Sequence, residues 1–449
     1  MKKFDVIVIG SGAGLEVASF AAQRGLTAAI VEEGPLGGTC LNRGCIPSKM
    51  LIHSADVAET IKNSEKFGIK SKIESINFAA IVKRVSEVVD TDSSGIEQSI
   101  KEGDNPTLYK VRGKFIGPKQ LQVGDEQIEG EKIFVVAGTR PTIPPIPGLE
   151  NTPYLDSTSA LRLEKQPENL IVIGGGYIAA ELAHFYGSLG TKVTILVRGN
   201  LMLNNEDEEI AKWFTDEFSK KHEILFDTQA ESVSYQDNMF SIKLKEKDKT
   251  LEADQLLVVT GRVPNTDILD VKATGIETDG HGYIKVNEYL ETNVSGIYSF
   301  GDIVGILPFR HTANDQVGYA IRNAFTDHKT PIDYFAIGHA VFSSPQIGGV
   351  GKTEQELKKE GVQYKVGRAE LKDTGMGGAL QANGLAKVLV DAQGEKILGV
   401  HIVGPDASTL IHEAIVAMKA NGNVKAITDT VFIHPALSEW LQRAFFSIE

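Results

Sequence analysis

The sequence predicts an α/β fold in which two Rossmann-like dinucleotide-binding units precede a C-terminal α+β domain. Three observations predict it. A β-branched strand, a glycine turn and an Ala-rich helix follow one another over residues 4–24. The same order returns over residues 170–189, an internal repeat. After Pro331 the character changes to alternating strands with helices between and after them, as in an α+β interface domain.

Bulk properties narrow the function. At 449 residues the chain can bury the cores of two to four domains. A net charge of −13 with no Lys/Arg-rich block argues against a nucleic-acid partner. Two cysteines in the whole chain exclude a disulfide-rich secreted scaffold. No apolar run reaches the ~18 residues of a membrane span. Asp5 and the glycines from Gly10 make the N-terminus a buried strand and not a signal peptide, so a cytoplasmic protein is expected.

In the first unit, residues 4–9 form a strand, Gly10, Gly12 and Gly14 the turn, and residues 27–31 a second strand ending at Glu32. That is the dinucleotide fingerprint in its required setting: glycines for the tight turn, a helix N-terminus for a pyrophosphate and an acid for a ribose hydroxyl. Leu15 stands where the third small residue belongs, so the helix must pack more loosely or use Gly14.

The stretch 37–49 holds both cysteines, Cys40 and Cys45, among glycines and just before what reads as a helix starting near Pro47. A thiol at a helix N-terminus gains about 0.3–1 kcal/mol from the macrodipole as thiolate. One structural staple adds little to so long a chain, so a redox-active pair is expected. Residues 52–100 read as helical packing faces, with His53 a packing or surface residue, and 108–136 as short β segments. The prolines over 141–148 mark a boundary.

In the second unit, residues 170–173 are the strand, Gly174, Gly175 and Gly176 the turn, and Ala179 the third small position. The acid expected after the strand 192–197 is missing, and Arg198 stands there. An arginine suits a 2′-phosphate where an acid suits a 2′-hydroxyl. Two nucleotide sites flanking a dithiol suggest an electron path. Residues 290–302 read as a strand ending in Gly301-Asp302, where ligands of α/β sheets bind. Near the C-terminus, His434 and Glu439 are spaced to form an oriented general base.

With these residues assembled, the chain resembles the class I pyridine nucleotide-disulfide oxidoreductases, which include dihydrolipoamide dehydrogenase, glutathione reductase and mycothione reductase. The resemblance runs essentially from end to end. It implies FAD and a pyridine nucleotide as cofactors, no metal, and a C-terminal dimerisation domain. The implied division is an FAD-binding domain over 1–148, an NAD(P)-binding domain over 149–270, a second FAD/central part over 271–330 and the dimerisation domain over 331–449.

Residue by residue, the resemblance makes Gly10, Gly12 and Gly14 the FAD pyrophosphate loop, Glu32 the adenosine-ribose ligand and Gly113 an adenine-side contact. Asp302 becomes the ribityl contact and His311 part of the flavin-flanking turn, with Gly38, Thr39 and Gly138 also beside FAD. Gly174, Gly176, Ala179, Arg198 and Gly261 fall to the nicotinamide nucleotide, with Tyr177 the lid of its pocket. Cys45 resembles the thiol that interacts with the flavin, and Cys40 the interchange thiol. Lys49 and Glu181 match a buried pair beside the ring. His434, contributed from the other subunit of a homodimer, resembles the acid/base, and Glu439 its orienter.

The motifs divide on substrate. Ile46-Pro47-Ser48-Lys49 and Leu437-Ser438-Glu439 look like dihydrolipoamide dehydrogenase, whose lipoyl group is one expected substrate. Tyr177-Ile178-Ala179 and Arg198 look more like the NADPH-dependent reductases and favour NADP(H) over NAD(H), and the stretch Arg310-His311-Thr312-Ala313-Asn314 is closer to mycothione reductase than to the lipoamide enzymes. A third expectation is a dehydrogenase subunit docked in a multienzyme complex.

Overall fold

A computed structural model describes residues 1–245, 249–420 and 422–449. The chain divides into two compact units: one gathers residues 1–48, 82–142 and 261–333, the other residues 49–81, 143–260 and 334–449.

The first unit is built on a mostly parallel sheet. Its strands run in the order Thr107–Tyr109, Ala28–Val31, Lys2–Ile9, Glu126–Val135, Gln120–Val123 and Gly113–Gly117, with Ile297–Ser299 also paired to Glu126–Val135. The central strand Lys2–Ile9 is flanked in parallel by Ala28–Val31 and Glu126–Val135, so its residues from Val6 to Ile9 are buried on both faces. That burial explains the uninterrupted β-branched run. Val6 and Val8 face a core with Val17, Ala18 and Ala21 of the helix Gly14–Gln23. Ile7 and Ile9 face another with Phe115, Leu121 and Ile133.

The second unit contains three sheets. Glu223–Leu225, Lys192–Leu196, Asn169–Ile173 and Gln255–Val258 form a parallel sheet. A three-stranded antiparallel sheet, Ala230–Gln236, Met239–Leu244 and Thr250–Ala253, shares its core through Leu149, Ile171, Leu196, Phe240 and Ile242. The C-terminal part is an antiparallel five-stranded sheet ordered His339–Val341, Gln346–Gly351, Ile397–Gly404, Leu385–Asp391 and Tyr364–Glu370. Val388, Val400, Leu410 and Trp440 belong to its core.

Three local expectations change. The helical stretch 52–100 is two helices, Cys45–Lys62 and Phe78–Glu102, separated by a short helical turn, Ser64–Phe67, that Gly68 ends with a left-handed φ of 78°, and by the irregular residues after it. The stretch 290–302 is not one strand. Leu290 (φ 64°) and Gly296 (φ 78°) turn the chain back on itself, leaving only Ile297–Ser299 in the sheet. Finally, the helix that follows the thiols begins at Cys45 itself, two residues before Pro47, and Cys40 lies inside a separate short helix, Gly38–Arg43.

Candidate active site

The first glycine turn shows why each small residue is needed. Gly10 takes a φ of 109°, and a Cβ there would lie 2.5 Å from the carbonyl oxygen of Val136. A Cβ on Gly14 would sit 2.7 Å from Val8 Cγ1 and 2.6 Å from Val136 Cγ2, so Gly14 takes the packing role that Leu15 cannot. Gly38 (φ 68°) approaches the same turn so closely that its Cβ would fall 2.7 Å from Gly12 Cα. Glu32 closes the loop: Ser11 donates to its Oε2 from both N (3.0 Å) and Oγ (2.8 Å), and Gly34 N donates to its Oε1 at 2.8 Å.

Gly44 joins the two thiol-bearing helices. It ends Gly38–Arg43, and its carbonyl accepts from Ser48 N at 3.1 Å, the first bond of Cys45–Lys62. Asn42 is buried beneath the thiols and donates to the carbonyls of Leu36 (2.7 Å) and Gly38 (3.0 Å), fixing the loop before Cys40. The Cys40 thiol is lowered to about 6, chiefly by a hydrogen bond with the Cys45 side chain and, against the cost of burial, by the charge of Arg310. Arg310 opens the helix Arg310–Phe325, and its guanidinium lies against the turn, 3.5 Å from where a Gly12 Cβ would be. A cation at a helix N-terminus is electrostatically disfavoured unless an anion compensates it; a Cys40 thiolate is one such anion.

The remaining flavin-side candidates lie in the same unit. Asp302 follows the strand Ile297–Ser299 and accepts from Thr139 Oγ1 at 3.3 Å. Burial pushes its carboxyl up, opposed by the charge of Arg262, which itself donates to Thr139 Oγ1 and O at 2.8 and 2.7 Å. His311 is exposed, its ring stacked on Phe309 with centroids 5.3 Å apart. Thr39 follows Gly38 in the short helix. Gly113 is buried, with room for no side chain beside Val31 Cγ1 at 2.8 Å, and Gly138 (φ 64°) is a turn residue beside open space; Gly261 (φ 138°), expected on the nicotinamide-nucleotide side, falls in this unit too, with Thr142 Oγ1 3.8 Å from where its Cβ would be.

In the second unit, Lys49 Nζ donates to Glu181 Oε1 and Oε2 at 2.8 and 2.7 Å and sits 4.5 Å from the Phe342 ring centroid. Phe342 N donates to Glu181 Oε1 at 3.0 Å, a contact that no local motif announces. Gly174 repeats Gly10: φ is 140°, and a Cβ would lie 2.4 Å from Val259 O. A Cβ on Gly176 would meet nothing within 4 Å, which leaves the start of helix Tyr177–Ser188 open to a ligand. Ala179 is fully buried, as the packing position requires. Arg198 is exposed and makes no ion pair among the described residues. The Tyr177 hydroxyl donates to Glu206 Oε1 at 2.7 Å.

His434 Nδ1 lies 2.9 Å from Glu439 Oε1, and Ala436 N donates to Glu439 Oε2 at 3.1 Å. The histidine bond is the main cause holding the Glu439 carboxyl below the ordinary range. The carboxylate thus fixes the ring from one nitrogen and leaves the other outward, with the His434 side chain 73% exposed.

Residues 4–317 match the pyridine nucleotide-disulphide oxidoreductase family, and residues 337–445 match its dimerisation domain. The chain belongs to this family. It is 36% identical to dihydrolipoyl dehydrogenase 1, mitochondrial, of Arabidopsis thaliana, over 98% of this chain and 89% of that protein. It is 32% identical to mycothione reductase of Mycobacterium tuberculosis over the full length of both. Among solved structures it is similar to the HOCl-induced flavoprotein disulfide reductase RclA of Escherichia coli in complex with Cu(II), with a TM-score of 0.89, 29% identity and 99% of each chain covered.

The protein is accordingly an FAD-dependent disulfide oxidoreductase that acts on sulfur groups with NAD(P)H. The residues fit both nucleotides. Two turns end a parallel strand at a helix N-terminus, and in each the first glycine is pressed against the neighbouring strand by its left-handed backbone.

Proposed function

We propose that the chain is an NADPH-dependent reductase of a small disulfide, working as a homodimer. The observation that carries this reading is Arg198, an exposed cation at the end of the strand Lys192–Leu196 where an acid would mark an NADH site. FAD, which the Gly10–Gly14 turn and Glu32 would hold, would supply the Cys40–Cys45 disulfide with the electron pair that NADPH brings. The Cys40 thiolate then attacks one sulfur of the substrate RSSR, forming a Cys40–S–S–R bond and expelling RS⁻. The partner subunit's His434 protonates that leaving thiolate. Cys45 thiolate attacks Cys40 sulfur, restores the Cys40–Cys45 disulfide and releases the second RS⁻. Each cycle consumes one NADPH and one proton per disulfide and yields two thiols.

A thiol lowered to about 6 is thiolate at neutral pH, which suits Cys40 both as attacking and as leaving group. For that reason the second reading, a dihydrolipoyl dehydrogenase, stands beside the first; its support is the 36% identity to the Arabidopsis enzyme. A steady-state panel decides between them. Lipoamide, glutathione disulfide and other small disulfides, each with NADH and NADPH, are the arms. NADPH-driven reduction of a non-lipoyl disulfide supports the first reading, and NADH-driven reduction of lipoamide alone replaces it with the second.

A further inference from the structure

Glu206 is a buried carboxylate with two hydrogen-bonded partners from distant parts of the second unit. Its side chain is 0% exposed. Tyr177 Oη donates to Oε1 at 2.7 Å, and His339 Nε2 lies 2.7 Å from Oε2. The Tyr177 and His339 rings are parallel within 6°, with centroids 6.2 Å apart. The carboxylate bridges the two residues, one oxygen to each.

The backbone under Glu206 is held just as firmly. Its carbonyl accepts from Gln355 Nε2 at 2.7 Å, and its N–H donates to Leu203 O at 2.9 Å. The next residue, Asp207, caps the helix Glu208–Phe218 and accepts from Lys387 Nζ at 2.8 Å and Glu354 N at 3.0 Å. The buried His401 adds a further ring near both acids. Burial works to raise the Glu206 carboxyl, but His339 and Tyr177 outweigh it and hold it ionised, while burial beside that charge raises the Tyr177 phenol.

We infer that Glu206 and His339 form a latch that holds Tyr177 in a closed resting position, so that a nicotinamide nucleotide must break the Tyr177–Glu206 bond to enter. The inference rests on the reading of Tyr177 as the lid of the nicotinamide pocket. Glu206 and His339 are positioning residues: they act through Tyr177 and touch no reacting atom. When only the unlatched fraction is competent, apparent affinity is reduced by that fraction. Weakening the latch therefore tightens nucleotide binding.

The test uses the FAD-loaded enzyme and NADP⁺ as probe. Binding is followed by the perturbation of flavin absorbance, and association of NADPH by stopped flow. Tyr177→Phe keeps the ring and removes the latch hydroxyl; it is expected to lower the apparent Kd about fivefold or more and to speed association. Glu206→Gln is expected to change both in the same direction, and the double variant to add little to either single change. Wild-type binding and association in Tyr177→Phe, or additive effects in the double variant, overturn the latch. Tyr177→Ala separates the two layers: if it too leaves nucleotide binding and association unchanged, the lid reading falls, whereas an effect in Tyr177→Ala with none in Tyr177→Phe removes the latch alone. Thermal midpoints of all variants exclude general destabilisation, and Tyr177→Phe stays informative where the buried Glu206→Gln folds poorly.

Discussion

Lys49 and Glu181 are joined at both carboxylate oxygens, at 2.8 and 2.7 Å, and the carboxylate takes a third donor from Phe342 N. The two charges are not equally sheltered. The Lys49 side chain is 34% exposed and that of Glu181 only 11%. Removing either one therefore leaves a different residue behind.

Lys49→Met leaves a nearly buried carboxylate with a single backbone donor, whereas Glu181→Gln leaves an ammonium that still reaches water and the Phe342 ring. Unfolding in urea should show the lysine variant destabilised by about 2–3 kcal/mol and the glutamate variant by about 1 kcal/mol. Equal losses would mean that the pair is solvated alike at both ends.

The Cys40 thiol carries a pH prediction. With its value lowered to about 6, the thiolate predominates above that pH and is lost as pH falls through it. Alkylation of Cys40 in the dithiol enzyme, followed from pH 4 to 9 by peptide mass analysis, should therefore half-saturate near pH 6. Arg310→Leu removes the favourable charge and should move the midpoint upward; an unmoved midpoint would assign the whole effect to the hydrogen bonds from Cys45 and Ile46.

Exchanging Cys40 for Ser should abolish disulfide turnover while leaving FAD bound and the long-wavelength absorbance of a thiolate beside the flavin in place. A variant that turns over substrate normally would remove Cys40 from the reaction.

The second glycine turn separates stability from binding. Gly174→Ala meets the Val259 carbonyl at 2.4 Å in a left-handed backbone and should cost at least about 1–3 kcal/mol. Gly176→Ala meets no protein atom within 4 Å, so its thermal midpoint should equal that of the parent, while KM for the nucleotide rises. Arg198→Glu should raise KM for NADPH far more than for NADH, by about tenfold or more for one lost charge-assisted contact; equal changes would make the residue a bystander.

How much of this was legible depended on sequence distance. The glycine turns, the thiols and the His434–Glu439 pair are written within a few residues, where spacing alone dictates geometry. Gly14 could be named as the substitute for Leu15 because both share one turn. Arg310 beside Cys40, Phe342 against Glu181 and His339 against Glu206 are joined only by folding; the last two residues are 133 positions apart. Nothing local to either predicts the other. The stretch 290–302 went wrong for a different reason: its β-branched text hid the turn at Asn293-Val294-Ser295-Gly296, whose Ser-Gly signal was weaker than the apolar residues on either side.

Gly44 has a mechanical consequence. It ends one helix and starts the next, so the two sulfurs ride on separate rigid pieces with a single residue between them. The ring that a Cys40–Cys45 bond would close therefore takes in the end of one helix, the residue that joins them and the first residue of the next. A Cβ at Gly44 would press within 2.9 Å of Thr39 O, so the joint has no room for a side chain. Closing the disulfide would thus staple two helix ends across a joint already confined by its neighbours, and opening it would leave that joint held by packing alone.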